Sequence, residues 1–108
     1  MSEMGRPAIH LPSGYRKDEV IEVKTRIEHP NENGRRMYMD KGYVPPQYVE
    51  SIEAFYGDER VLEMQCSSAI SQNPYFAFAL RVTKSAPLKV VWKDTKGMRF
   101  EQTVQVQV

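Results

Sequence analysis

Residues 18–29, Asp-Glu-Val-Ile-Glu-Val-Lys-Thr-Arg-Ile-Glu-His, alternate along almost their whole length. Ile21, Val23, Thr25 and Ile27 fall on one face, and Glu22, Lys24, Arg26 and Glu28 on the other. Side chains of an extended chain point to opposite sides in turn, so this period of two predicts a half-buried β-strand. Pro30 ends it, and Asn33-Gly34 supplies a hairpin turn whose residues tolerate positive φ.

The same pattern repeats along the chain. Arg35–Asp40 is extended, and Pro45-Pro46 blocks further ladder bonding. Tyr48–Tyr56 places Ile52 and Ala54 between Tyr48 and Tyr56 on one face. Gly57-Asp58 turns the chain into Arg60–Cys66, where Leu62, Met64 and Cys66 share a face. Asn73-Pro74 opens Tyr75–Thr83, with Phe76, Phe78, Leu80 and Val82 pointing one way. Ser85-Ala86-Pro87 leads into Leu88–Asp94, and Lys96-Gly97 into Met98–Val108. Leu88, Val90 and Trp92 align in the former; Phe100, Val104, Val106 and Val108 align in the latter.

No helix-length segment of period 3.6 interrupts these strands; Ser67–Ser71 has room for a single helical turn. Short strands with turn chemistry between them predict an all-β fold, an immunoglobulin-like antiparallel β-sandwich of about seven strands. A small closed barrel is the competing architecture. Residues 1–17 carry two prolines, two glycines and little periodicity. They read as an extended or mobile arm, with Ile9, Leu11 and Tyr15 as possible docking side chains, ahead of a sandwich domain over 18–108.

The composition bounds function. At 108 residues, 41% hydrophobic and 27% charged, the chain is one domain able to bury a core without disulfides or a structural metal. Fifteen Lys/Arg against fourteen Asp/Glu leave a net charge of +1, which argues against a nucleic-acid binder. A mean hydropathy of −0.57 and the lack of a long apolar run argue against a membrane-spanning helix. The N-terminus shows no signal-peptide pattern and Cys66 is the single cysteine, which by itself points to the cytoplasm.

Cys66 with His10 and His29 raises a blue-copper reading, which needs two His, a Cys and a weak axial Met. No histidine follows Cys66 and the only later methionine is Met98, so a small buried thiol on the face of Leu62 and Met64 is preferred. A nucleophilic role is disfavoured by the neighbouring Glu63, because a carboxylate raises a thiol pKa. Met37-Tyr38-Met39, with Tyr43, suits a core edge or an adaptable partner-binding patch better than a soft-metal site. Arg16-Lys17 and Arg35-Arg36 read as solvated pairs. No carboxylate pair stands out as acid and base, and the glycines form no phosphate loop. The residues therefore describe a β module that presents edges, faces or loops to a partner, and not an enzyme. The final Thr-Val-Gln-Val-Gln-Val would be an aggregation hazard at an open edge, so a covering subunit makes physical sense there.

Three stretches in this order resemble the SoxZ family of sulfur-oxidation proteins: Glu22–Pro30 running on to Asn33-Gly34, Ala69-Ile70-Ser71-Gln72-Asn73-Pro74-Tyr75-Phe76-Ala77-Phe78, and Leu88–Asp94 followed by Gly97. The resemblance spans residues 18–108. It carries over the motif residues His29, Pro30, Gly34, Asn73, Pro74, Tyr75 and Trp92 as shapers of turns and core. It implies an immunoglobulin-like, non-catalytic subunit with no cofactor, paired as a heterodimer or higher assembly with SoxY. In that family SoxY bears sulfur intermediates of thiosulfate oxidation on a cysteine in a C-terminal Gly-Gly-Cys-Gly-Gly arm and offers them to the other Sox enzymes. This chain ends Val-Gln-Val-Gln-Val, as a scaffold partner would and a carrier would not. The resemblance also implies a periplasmic location, reached by export with a signal-bearing partner. Cys66 is not a cysteine expected of the family; a buried free thiol is preferred there over an intersubunit disulfide.

Overall fold

The fold is built around β2 (Val20–Glu28), whose alternation appears in the computed structural model as strict burial of every second side chain, Ile21, Val23, Thr25 and Ile27. The structure describes residues 5–28, 48–66 and 75–108. With β2 they form β1 (Gly5–His10), β3 (Val49–Tyr56), β4 (Glu59–Gln65), β5 (Tyr75–Arg81), β6 (Ala86–Asp94) and β7 (Arg99–Val106). All pairings are antiparallel. The strands divide into a three-stranded sheet, β1-β2-β5, and a four-stranded sheet, β4-β3-β6-β7. This is the expected all-β sandwich; among the described residues the strands form two separate sheets and do not close into a barrel. The expected strand at Arg35–Asp40 and the helical turn at Ser67–Ser71 lie outside the described residues.

The core lies between the sheets. Trp92, Leu88 and Val90 of β6 and Ile52 and Ala54 of β3 meet Ile21, Val23 and Ile27 of β2 and Leu80 of β5. Burying such side chains contributes about 1.5–3 kcal/mol each for the larger ones, and this term holds the two layers together.

Three local departures from the sequence pattern have physical causes. In β3 the buried set is Val49, Ile52, Ala54 and Tyr56, with Tyr48 only half-buried. The register against β6 shifts between Val49 and Ser51, and an extra residue there moves the inward face from Tyr48 to Val49. In β7 only Val106 is fully buried, and Val108 lies past the strand end, 42% exposed. Residues 5–10, read within an arm, form β1, pairing Ala8 with Arg26, Ile9 with Thr25 and His10 with Lys24. Its register shifts between Gly5 and Ala8, where Arg6 takes φ +49°. Gly5 and Pro7 erase the alternation that would have marked this strand. Ile9, Leu11 and Tyr15 pack against the core.

The turns follow their residues. Gly57, at φ +61°, carries β3 into β4, and its N–H donates to Pro87 O at 2.9 Å. Gly97, at φ +81°, sits in the β6–β7 turn, a conformation that costs an L-residue about 1–2 kcal/mol.

Candidate functional site

Cys66 follows β4, its N–H bonded to Glu50 O at 2.8 Å. It is half-buried and packs against the core together with Leu62 and Met64. Burial pushes its thiol pKa up, the opposite of what a nucleophilic or metal-binding thiolate needs. His10 is exposed on β1, in the other sheet. His29 lies outside the described residues. Among the described residues no three His, Cys, Asp or Glu side chains come together.

The outer face of the four-stranded sheet is charged. Glu53 accepts from Arg60 at 3.4 Å and lies 3.5 Å from Lys93, while Arg60 reaches Glu63 at 2.9 Å. Lys89 lies over the Phe55 ring, 5.4 Å from its centroid. Val91 points to this face between Glu53 and Glu101, its partners on the flanking strands, and is buried. Exposed ion pairs of this kind contribute at most about 1 kcal/mol each, so the face is a solvated cover and not an electrostatic trap.

The three-stranded sheet presents a different surface. Glu22, Lys24 and Arg26 cross the middle of its outer face, but β5 shows Ala77 and Ala79 there, with Tyr75 59% exposed. Val20, on the neighbouring strand, is 54% exposed. A shallow hollow of about 340 Å³ opens over the two alanines, walled by Val20 and Glu22. Inward from it, Phe76 and Phe78 stack with their centroids 5.9 Å apart and remain half-buried. Thr25 is buried beside them, and its hydroxyl donates to Phe76 O at 3.1 Å.

Of the residues singled out from sequence, Tyr75 is exposed at the start of β5 and Trp92 is fully buried in β6. Pro30, Gly34, Asn73 and Pro74 lie outside the described residues, as do Met37, Tyr38, Met39 and Tyr43. Sequence reasoning passed over Ala77 and Ala79. Their signal was the uncharged run Tyr75–Leu80, which reads as a buried strand until its place at a sheet edge is known.

The fold recurs in solved structures. The superoxide reductase (neelaredoxin) from Ignicoccus hospitalis superposes with a TM-score of 0.74 at 18% identity, covering 97% of this chain and 81% of that one. A putative superoxide reductase from Thermotoga maritima gives 0.71 at 15% identity, covering 94% of this chain and 84% of that one. The sulfur carrier protein SoxY from Chlorobium limicola f thiosulfatophilum gives 0.66 at 15% identity, covering 94% and 74%. At these identities the likeness is one of fold. No curated protein matches the chain. The family model of the sulphur oxidation protein SoxZ, by contrast, matches residues 9–105. That span takes in β2 to β6 whole and nearly all of β7, and the chain belongs to the SoxZ family.

Proposed function

We propose that this chain is the non-catalytic subunit of a SoxYZ carrier complex. It binds a SoxY-like subunit as a heterodimer or higher assembly and helps present that subunit's C-terminal cysteine arm to the Sox enzymes of thiosulfate oxidation. The observation that carries this reading is the family match over residues 9–105. The burial-raised pKa of Cys66 supports it, since a thiol held protonated is a poor carrier of sulfur. In this reading the protein works in the periplasm, exported with its signal-bearing partner, and takes no cofactor. Met37, Tyr38, Met39 and Tyr43 are proposed as part of the contact surface.

The test is co-purification of the full chain with the SoxY subunit of the same organism. A stable complex supports the proposal, and a monomer that never retains SoxY overturns it. Metal analysis of the same preparation addresses the independent metal-binding sandwich. Stoichiometric copper lost on Cys66→Ala would favour that alternative.

A further inference from the structure

We propose that the outer edge of β5 receives an extended strand of the SoxY-like subunit, with large apolar side chains of that strand seated over Ala77 and Ala79. The proposal rests on the reading of the chain as a SoxY-binding subunit and names where and how that binding occurs.

Among the described residues the four sheet edges are unequal. An edge strand exposes a row of backbone donors and acceptors, and proteins blunt such edges with charge, proline or bulges. β1 has Pro7, a shifted register and a left-handed Arg6. β4 has Glu59, Arg60 and Glu63, two of them ion-paired to each other. β7 begins with the paired Arg99 and Glu101. The N-terminal segment packs along it, with Gln102 Nε2 donating to Pro7 O at 3.2 Å and Gln107 N–H donating to the Tyr15 hydroxyl at 3.2 Å. Of these devices the described β5 has only the charge of Arg81 at its end, whose guanidinium donates to Asp18 O at 2.8 Å. Tyr75–Leu80 carries neither charge nor proline, and among the described residues its only ladder partner is β2.

The backbone of β5 is turned for the task. Val82 N–H donates to Glu19 O at 2.9 Å, and Val82 O accepts from Asp18 N–H at 2.6 Å, so both groups of Val82 face the β2 side. Hydrogen bonding alternates along an antiparallel strand, which directs the N–H and C=O of Ala77, Ala79 and Arg81 to the side away from β2, where no other described strand lies. Those groups recognise an extended strand and nothing bulkier.

The side chains choose between partners. Two β5 edges paired antiparallel over their full length would centre on Phe78 and set Ala77 against Ala79. Small would then meet small, and the hollow of about 340 Å³ would stay open. A strand from a different chain, carrying larger apolar residues at those positions, fills it. SoxY shares the sandwich fold and so has edge strands to offer.

The experiment compares SoxY binding by the full chain and three variants. Ala79→Lys puts a charge into the hollow, and Ala77→Pro removes an edge-facing amide without breaking the β2 ladder. Thr103→Lys, on the β7 edge, is the control. Both β5 variants are expected to weaken SoxY binding about tenfold or more, with circular dichroism and Tm unchanged, while the control binds as wild type. Hydrogen exchange at the Ala77, Ala79 and Arg81 amides is expected to slow when SoxY is bound, a measurement that needs no variant to fold. Wild type that binds SoxY with these amides unprotected, or β5 variants that bind equally well, overturns the edge assignment alone. Wild type that binds no SoxY defeats the functional reading itself. A homodimer dissociated by Ala79→Lys gives the edge to a second copy and overturns the heterologous partner.

Discussion

The hydroxyl of Tyr56 closes the turn at Lys84 with every bond it can make. It donates to Lys84 O and accepts from the N–H groups of Lys84, at 2.9 Å, and Thr83, at 3.2 Å. A phenol has one donor and two acceptor sites, so its capacity is filled. Tyr56 ends β3 in the four-stranded sheet, while residues 83–84 lead from β5 of the other sheet into β6. This one side chain fixes the path by which the chain changes layers.

Tyr56→Phe keeps the ring in the core and removes all three bonds. The backbone groups it strands are partly buried, so the expected cost is about 2 kcal/mol. For a domain of this length that lowers Tm by about 10 °C, which thermal denaturation followed by circular dichroism will read.

Asp94 does comparable service at the β6–β7 turn. Its carboxylate is buried, and Oδ1 accepts from the N–H groups of Lys96 and Met98, both at 2.9 Å. Asp94→Ala is expected to lose about 2–3 kcal/mol. Asp94→Asn keeps an acceptor oxygen and is expected to lose less than half of that. Urea denaturation with an unchanged m-value distinguishes the two.

Cys66 provides the pH dependence. Burial raises its pKa above the usual 9.0, so the folded chain holds the thiol proton more tightly than the unfolded chain does. The contribution to stability is present below that pH and is lost as pH rises through the folded pKa. Alkylation by iodoacetamide at neutral pH is expected to be slower than for a free cysteine, with its rate midpoint displaced upward. A rate profile centred below 9.0 would contradict the burial described for Cys66.

Trp92 sets two effects against each other. Its indole N–H is buried and has no hydrogen-bond partner among the described residues. Trp92→Phe gives up packing but removes a stranded donor worth about 1–3 kcal/mol. The two nearly cancel, and stability is expected within about 1 kcal/mol of wild type. Trp92→Ala removes the same donor but leaves a far larger hole, and should cost about 3–5 kcal/mol. Comparing both variants by chemical denaturation tests the offset.

How much of this was legible in the sequence depended on local signals. The buried face of β2 was plain because nothing breaks its alternation from Ile21 to Ile27. The buried face of β3 was read one residue off at its start, because the register shift between Val49 and Ser51 arises from pairing with β6 and leaves no local mark. β1 was hidden by Pro7 and Gly5, which look like arm residues until β2 stands beside them. The final strand was recognised, but Val108 was drawn into its apolar face. The ladder stops at Val106, and Val108 is tied instead to Ser85, through bonds of 3.0 and 3.1 Å. The β5 edge was invisible for a deeper reason. A run such as Tyr-Phe-Ala-Phe-Ala-Leu has the same composition in a sheet's middle as at its margin, and only topology assigns it to the margin.

The N-terminal segment has a consequence for biosynthesis. Pro7 meets Gln102 across 95 residues of chain, and Tyr15 meets Gln107 across 92. These contacts cannot form while the C-terminal strand is still inside the ribosome. A nascent chain displaying every strand through β6 still lacks the last strand of the larger sheet and the contacts that latch the N-terminal segment onto it. Closure of this sandwich therefore waits until β7 has left the ribosome, and until then the nascent chain is exposed to chaperones and proteases.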